Sequence, residues 1–402
     1  MRVLYVTDTL HPRVNGVSTS IDIFRRELTR RGHEVWVLAP RYGDEPEEEG
    51  VVRVASWRAP LSPEDRLLKP RRALAAEPRL ARHGFDVIHV QTPFTAFLVG
   101  RTLARRWRVP LLLTYHTDFE AYAAHYAPML AAPVGALARW LARWQCRQVD
   151  VTVVPTPEVE AQLRGYGVGS NLAVVPTGLP VADFTAGDGG RFRRAMGIPD
   201  NVPVLGYVGR LAPEKNVDFL LEVFAEVRKR RPEARLLLAG EGPGKAALER
   251  RARALGVAWG IHWAGFLSRR QDLLDCYRAA DVFVFASQTE TQGLVLLEAM
   301  ALGVPVVAVP AGGTRQILVP GQGALVATND ICEFTARVHT VLDDPALARE
   351  LSHAGRQWVR RHWSSEATTD RLLDLYETLI ETARIASTPR IAEASSAVHQ
   401  PS

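Results

Sequence analysis

Residues 281–300 read DVFVFASQTETQGLVLLEAM, and the hydrophobic pattern changes twice within them. The run VFVF is short and wholly apolar, which is typical of a strand buried on both faces. The run LVLLEAM favours a helix, and Gly293 stands at its beginning. A buried strand, a polar loop and a helix in this order indicate one unit of a parallel sheet covered by helices.

The loop of this unit carries a candidate binding site. Gly293 permits close approach of a ligand to the backbone, and the amides of Gly293 and Leu294 begin a helix whose dipole favours a phosphate. Glu290 lies in the loop and Glu298 two turns into the helix, so both can line one pocket. Glu298 is flanked by apolar residues, where a carboxylate needs a partner. In the alternative interpretation, Glu290 only offsets the helix dipole and Glu298 is solvated.

A second cluster of polar residues follows the apolar run VLGYV. The stretch GRLAPEKN at 209–216 places Arg210 and Lys215 after a predicted strand. Because ligands bind at the carboxyl ends of parallel strands, both cations are expected near Glu290. Together they would neutralise a diphosphate leaving group. Taken alone, an arginine and a lysine in a loop are usually surface charges.

The same alternation of strands and helices runs through both halves of the chain. Strands are predicted in the first half at 2–7, 34–39, 87–91, 109–114 and 150–154, and in the second half at 203–209, 235–239, 261–264 and 281–286. The sequence therefore predicts an α/β protein with two Rossmann-like domains. The expected divisions are a domain at 1–180, a linker at 181–200, a domain at 201–365, a helix at 366–384 beginning after a Ser365 N-cap, and a disordered tail at 385–402.

Two further candidates lie in the first half. Gly16, in TDTLHPRVNGV, joins the first strand to the first helix and would let backbone amides face a phosphate, although Asn-Gly is also a common tight turn. His116 lies in LLLTYHTDFEAY, directly after a strand and close to Asp118 and Tyr122. A lone histidine is more often structural, but this position and the adjacent carboxylate indicate a functional one.

Composition limits the classes of protein. The chain has 402 residues, 47% of them hydrophobic and 23% charged, which argues against a disordered or disulfide-dense chain. Its three cysteines lack ligand spacing and are interpreted as reduced core thiols. The start lacks a signal-peptide core and no apolar run is long enough to span a membrane, so a cytoplasmic location is expected. The net charge of +5 suits an anionic partner, but its arginine clusters lack the interleaved aromatics of a nucleic-acid module, and no nucleic-acid partner is predicted.

These motifs together resemble the retaining glycosyltransferases of family 4, or group 1, which have the GT-B fold. The resemblance covers nearly the whole chain, and ETQGLVLLE at 290–298 with GVPVVAVPAGGTRQIL after it is specific. It implies two domains facing across a cleft, with a C-terminal helix returning to the first. It also implies a UDP- or GDP-sugar donor as substrate, with no cofactor and no bound metal.

The resemblance assigns a role to each candidate. Arg210 and Lys215 would hold the donor diphosphate, and Glu298 the ribose hydroxyls. Glu290, Gly293 and Leu294 would contact the sugar and phosphate, with Gly16 closing from the other domain. His116 would bind near the C6 hydroxyl of the sugar. Asp118 and Tyr122 are candidates for the acceptor.

The stretches YHTDFEAYAAHY and SQTETQGLVLLEAMA are most similar to the mannosyl-, glucosyl- and sulfoquinovosyltransferases that build glycolipids. One independent feature supports a lipid acceptor and binding to the inner face of the plasma membrane. Residues 133–148 carry a basic stripe beside two tryptophans, which suits an anionic bilayer: Arg139, Arg143, Arg147, Trp140 and Trp144. A packed helix with a solvated arginine edge explains the same pattern equally well.

Three alternatives stay open at this stage. The same transfer chemistry would serve a soluble or polysaccharide acceptor. A catalytically silent sugar-nucleotide-binding protein would also keep the fold, although it would not need every donor residue. An epimerase of this fold would need an acid/base pair that the sequence does not reveal.

Overall fold

The computed structural model of the protein describes residues 1–59, 62–116, 131–267 and 270–387. The described part of the first half contains strands β1 (Arg2–Val6), β2 (Glu34–Pro40), β3 (Val51–Val54), β4 (Ser56–Ala59), β5 (Ser62–Leu68), β6 (Val87–Val90), β7 (Leu111–Thr114), β8 (Val151–Val154) and β9 (Leu172–Val174). Seven of them form one parallel sheet in the order β3-β2-β1-β6-β7-β8-β9. β4 and β5 form a separate antiparallel hairpin.

A second parallel sheet follows. Its strands are β10 (Val204–Val208), β11 (Arg235–Ala239), β12 (Ile261–Gly265), β13 (Val282–Phe285), β14 (Val306–Ala308) and β15 (Ala324–Val326). Their order in the sheet is β12-β11-β10-β13-β14-β15, and the neighbouring pairs are parallel. In each sheet the order in which strands are added reverses at the strand that comes first in the chain, β1 or β10. This reversal creates the crevice where α/β proteins bind ligands.

Helices cover both sheets. In the described ranges they are α1 (Gly16–Arg30), α2 (Pro70–Ala75), α3 (Glu77–Ala81), α4 (Thr95–Trp107), α5 (Ala131–Cys146), α6 (Pro157–Gly165), α7 (Gly189–Ala195), α8 (Val217–Arg230), α9 (Lys245–Ala254), α10 (Arg270–Ala279), α11 (Leu294–Ala301), α12 (Ile331–Asp343), α13 (Pro345–His362) and α14 (Ser365–Ser387). None of these helices combines the length and apolarity that crossing a bilayer requires. The predicted strands lie where expected because most of them are apolar runs buried on both faces, as in β13.

The C-terminal helix α14 packs on the N-terminal domain. Leu372, Tyr376 and Ile380 join the buried cluster that contains Val3 and Tyr5 of β1. These apolar side chains recur every four residues and so lie on one face of the helix. The return of the C-terminal helix to the first domain is therefore as predicted.

Some local details differ from the expectations. Residues 181–200 are not irregular throughout, because Phe192 of α7 packs with Val204 and Leu237 in the core of the second sheet. Helix α14 begins at Ser365 and extends to Ser387, three residues into the predicted tail. The cap is one residue earlier than predicted, since Ser364 Oγ accepts from the amide of Ala367 at 3.3 Å. The remainder of the predicted tail lies outside the described residues.

The cysteines also differ in part from the expectation. Cys146 and Cys276 are free and buried, as core thiols should be, and burial raises the pKa of the Cys276 thiol to about 12. Cys332 is exposed on α12, so the prediction of a third core thiol was wrong. The residue type alone does not predict whether a cysteine lies on the buried or the exposed face of a helix. Cysteine packs as a small apolar residue only where its position faces the core.

Candidate active site

The loops that follow β10, β11 and β13 meet at the carboxyl edge of the second sheet. Gly240, directly after β11, lies so close to the loop after β10 that a Cβ there would be 1.9 Å from the carbonyl oxygen of Gly209. The loops after β10 and β13 are joined by a hydrogen bond of 3.2 Å from the amide of Gln288 to the carbonyl of Glu214. Residues predicted from separate motifs are thereby brought to one place.

Lys215 and Glu290 form an ion pair within this cluster. Nζ of Lys215 lies 2.5 Å from Oε1 of Glu290, and the two side chains are only 19% and 16% exposed. Limited exposure strengthens such a contact because water screens it less. The structure thus joins two of the predicted donor residues directly.

Glu298 of α11 has a partner that sequence reasoning missed. The hydroxyl of Tyr277, on α10, donates a 2.5 Å hydrogen bond to Oε2 of Glu298. Burial raises the pKa of Glu298, and the bond from Tyr277 acts in the opposite direction. Tyr277 itself is 1% exposed. Glu298 is itself half-buried, and the bond from Tyr277 orients its carboxylate.

Glycines fix the loop between β13 and α11. Gly293 begins the helix with a φ of 92°, a conformation that favours glycine. The amide of Gly313 donates to the carbonyl of Glu290 at 2.9 Å. A Cβ on Gly313 would lie 2.0 Å from the carbonyl oxygen of Thr291, and one on Gly312 would lie 2.5 Å from that of Glu290. Only glycine lets these two backbones touch.

Arg210 faces the hairpin of the N-terminal domain. Its Nη2 lies 4.0 Å from Oε1 of Glu64 on β5, and Glu64 is also 2.5 Å from Nη1 of Arg13. Arg13 belongs to the loop between β1 and α1 and pairs with Asp65 as well, at 3.0 Å. Neither Glu64 nor Arg13 was predicted, because only the tertiary fold places the hairpin opposite Arg210.

Gly16 begins α1, but a neighbour caps that helix. The side chain of Asn15 accepts hydrogen bonds from the amides of Val17 and Ser18 at 3.1 and 2.9 Å. Asn15 therefore serves as the N-cap, the role typical of asparagine there. A Cβ on Gly16 would meet no atom within 4 Å, so this position leaves room beside the helix terminus.

His116 follows β7 and is held as a neutral imidazole. Its Nε2–H donates to Oε1 of Gln91 at 3.2 Å. Burial lowers the pKa of His116 to about 4. Near neutral pH, His116 is therefore a hydrogen-bonding group without charge. Asp118 and Tyr122, the predicted acceptor residues, lie outside the described residues.

Some side chains of the predicted basic stripe pack against the protein, and others are exposed to solvent. Trp144 packs against Phe97 of α4 with ring centroids 5.4 Å apart, and Nη1 of Arg143 donates to the carbonyl of Tyr166 at 3.3 Å. Trp140 is 54% exposed, and Leu137 is 61% exposed.

The outer side of this region remains apolar and basic. Arg139 is half-buried on α5 and Arg147 is exposed directly after this helix, while Phe94 and Leu98 are each 47% exposed at the start of α4. The exposed part of the stripe is therefore smaller than predicted, but α4, whose Phe97 packs against Trp144, carries exposed apolar side chains of its own. We call Leu137, Trp140, Phe94 and Leu98 the apolar patch.

Known proteins resemble this chain in sequence over most of its length. Residues 14–183 match the family described as Glycosyltransferase Family 4, and residues 190–358 match the family described as Glycosyl transferases group 1. An alpha-monoglucosyldiacylglycerol synthase of Streptococcus pneumoniae is 33% identical over 77% of this chain and 71% of its own length. A GDP-mannose-dependent alpha-mannosyltransferase of Mycobacterium tuberculosis is 32% identical over 94% of this chain and 96% of its own length.

The fold has solved counterparts. Sucrose-phosphate synthase from Thermosynechococcus elongatus superimposes with a TM-score of 0.80 at 22% identity, over 95% of this chain and 100% of that one. This likeness, with the two parallel sheets, confirms the predicted GT-B architecture. By its sequence relatives, the chain belongs to the group 1, or family 4, glycosyltransferases, and the prediction of a transferase enzyme is confirmed.

Proposed function

We propose that the protein transfers a hexose of the glucose or mannose type from a UDP- or GDP-sugar to a lipid acceptor, with retention of configuration. The observation that carries this proposal is the ion pair of Lys215 and Glu290 beside the N-terminus of α11. A cation, a carboxylate and a helix N-terminus in one place suit a sugar joined to a diphosphate.

Each residue has a role in this scheme. Arg210 and Lys215 neutralise the diphosphate, with the amides of Gly293 and Leu294. Glu298, oriented by Tyr277, accepts hydrogen bonds from the ribose hydroxyls. The uncharged His116 binds the C6 hydroxyl of the sugar, and Gly16 leaves space for the donor to lie under α1. Glu290 contacts the sugar itself.

In the transfer step, the bond from C1 of the sugar to the diphosphate oxygen breaks while the acceptor oxygen bonds to C1 on the same face. The acceptor proton passes to the departing phosphate oxygen, so the products are a glycoside and a nucleoside diphosphate. The cationic side chains stabilise the charge that develops on the leaving group, a role that other transferases give to a metal ion. No cofactor takes part in this scheme.

The relatives and the apolar patch support a lipid acceptor. The Streptococcus relative is named for a glucosylated diacylglycerol, and the Mycobacterium relative for GDP-mannose. Exposed apolar side chains next to arginines suit an anionic membrane surface. We therefore propose that the protein binds peripherally to the inner face of the plasma membrane.

The transfer proposal is tested by incubating the protein with UDP-glucose or GDP-mannose and vesicles that contain diacylglycerol or phosphatidylinositol. We expect a glycolipid in the mass spectrum, with an α-anomeric proton by NMR. Product on soluble sugars alone would favour a soluble or polysaccharide acceptor. Absence of product with every donor and acceptor, despite donor binding, would support a non-catalytic binding protein.

Membrane binding is tested separately by co-sedimentation with anionic phospholipid vesicles. Replacing Leu137 and Trp140 together by alanine should reduce the bound fraction several-fold. Trp259→Ala is the matched control, because Trp259 is 61% exposed on the C-terminal domain. Equal binding of all three proteins would contradict the membrane role of the apolar patch.

A further inference from the structure

We propose that Gln292 is a positioning residue, which fixes the loop at 287–293 against the N-terminal domain so that donor and acceptor groups align. This loop, here called the donor loop, carries Glu290, and the inference rests on the proposed function. Gln292 lies between Glu290 and Gly293 but is only 5% exposed. Its side chain is therefore buried within the protein.

Gln292 pairs with both backbone groups of one residue. Its Oε1 accepts from the amide of Thr177 at 2.9 Å, and its Nε2 donates to the carbonyl of Thr177 at 2.6 Å. Only a side-chain amide offers a donor and an acceptor at this separation. A glutamate would set a carboxylate against the carbonyl, and a leucine would leave two buried backbone groups unpaired.

Thr177 continues the contact into the N-terminal domain. Its hydroxyl donates to Oγ of Ser20 at 2.8 Å, and Thr177 and Ser20 are 6% and 1% exposed. Ser20 lies on α1, one turn beyond Gly16. Buried hydrogen bonds thus connect the donor loop of one domain with the helix that carries Gly16 in the other.

The segment around Thr177 is itself held firmly. The amide of Leu179 donates to the carbonyl of Trp363 at 2.7 Å, and the amide of Ser365 donates to the carbonyl of Leu179 at 2.8 Å. A Cβ on Gly178 would lie 2.3 Å from Oγ1 of Thr368. Because α14 also packs on the N-terminal domain, Gln292 binds the donor loop to a fixed point and not to a free linker.

This arrangement separates two consequences of disturbing Gln292. Arg210, Lys215 and Glu298, which are assigned to the diphosphate and ribose, lie in the C-terminal domain outside the donor loop, so most of the donor binding should persist. Alignment of the sugar with the N-terminal domain should be lost. A displacement of about 1 Å can lower a reaction rate about 100-fold. Replacing a residue with a purely structural role would lower stability, but it would not lower kcat while leaving the Kd for the donor nucleotide unchanged.

The test compares Gln292→Leu and Thr177→Val with wild type, in the full chain. We expect kcat for transfer from the preferred donor to fall at least tenfold in Gln292→Leu and several-fold in Thr177→Val. The Kd for the nucleoside diphosphate should stay within about threefold in both. Thr177→Val keeps the backbone bonds to Gln292 and loses only the bond to Ser20, so it decides the matter if Gln292→Leu does not fold.

Thr335→Val is the matched control. Thr335 is 6% exposed, like Thr177, but its hydroxyl lacks a hydrogen-bond partner among the described residues and lies on α12. Unchanged kcat in both Gln292→Leu and Thr177→Val would overturn the inference, as would a loss in kcat that Thr335→Val shares. Wild type that transfers from no donor would instead contradict the proposed function.

Discussion

The ammonium group of Lys215 lies 2.5 Å from a carboxylate oxygen of Glu290, although the two residues are 75 positions apart in the chain. Each charge is therefore matched by the other within a half-buried site. A donor diphosphate would add negative charge next to Lys215, while Glu290 would turn to the hydroxyls of the sugar. We therefore expect the pair to serve both parts of the donor.

Replacement of Glu290 by glutamine should lower kcat by about 100-fold or more, because it removes a charge placed where the reaction develops charge. Steady-state transfer rates at saturating donor check this. Glu222→Gln is the control, since Glu222 pairs with Arg251 on the outer helices. A Glu290→Gln enzyme as fast as the control would show that Glu290 does not act on the reacting sugar.

Tyr277→Phe should raise the donor KM roughly tenfold and leave kcat nearly unchanged, the loss expected for one hydrogen bond to a charged group. Without the hydroxyl, the pKa of Glu298 should rise further, because burial already raises it and the bond from Tyr277 opposes that rise. As the pH falls, the donor KM of the variant should therefore begin to increase at a higher pH than the donor KM of wild type. A change in kcat alone would contradict this account of Tyr277.

Gly313→Ala should displace the donor loop, because the new Cβ would meet the carbonyl oxygen of Thr291 at 2.0 Å. We expect transfer activity to fall at least tenfold and stability to fall by about 1–3 kcal/mol. Gly169→Ala, where a Cβ would meet no atom within 4 Å, is the control. Urea unfolding and transfer rates, measured on the same samples, check both effects. Full activity in Gly313→Ala would mean that the loop contact is not needed.

His116 should make the protein less stable on acidification. Its pKa is lowered by burial from 6.5 to about 4, so between these values the unfolded chain binds a proton that the folded protein does not. The contribution of His116 to the free energy of unfolding is fully present above pH 6.5. It is lost as the pH falls towards 4, by up to about 3 kcal/mol. Urea unfolding of wild type and His116→Gln, near neutral pH and at about pH 4.5, measures it. Identical pH dependence in the two proteins would contradict the lowered pKa.

The sequence was sufficient for the fold class because its signals are local, although they did not predict β3, β4, β5, β9, β14 and β15. Apolar runs such as VFVF at 282–285 are strands wherever they are buried on both faces, and the glycine at 293 marks the turn into a helix. The same locality placed Arg210, Lys215, Glu290 and Glu298 at one sheet edge, because residues after parallel strands converge there.

Contacts between distant elements could not be predicted in this way. Tyr277 reads as an ordinary apolar-face residue of α10, and nothing near it in the chain indicates a carboxylate partner on α11. The contact of Glu64 with Arg210 depends on the orientation of the β4–β5 hairpin relative to the second sheet. The role of Asn15 is a local signal that the sequence does contain, since asparagine directly before a helix is a common N-cap.

We propose that the loops after β10 and β13 bind a nucleotide sugar. The most direct test is thermal unfolding of wild type and Glu298→Ala with a panel of UDP- and GDP-linked sugars. We predict that one nucleotide raises the midpoint of wild type by several degrees and that Glu298→Ala loses this shift. An equal shift in both proteins would place the donor elsewhere, and no shift with any sugar nucleotide would contradict a preformed donor site.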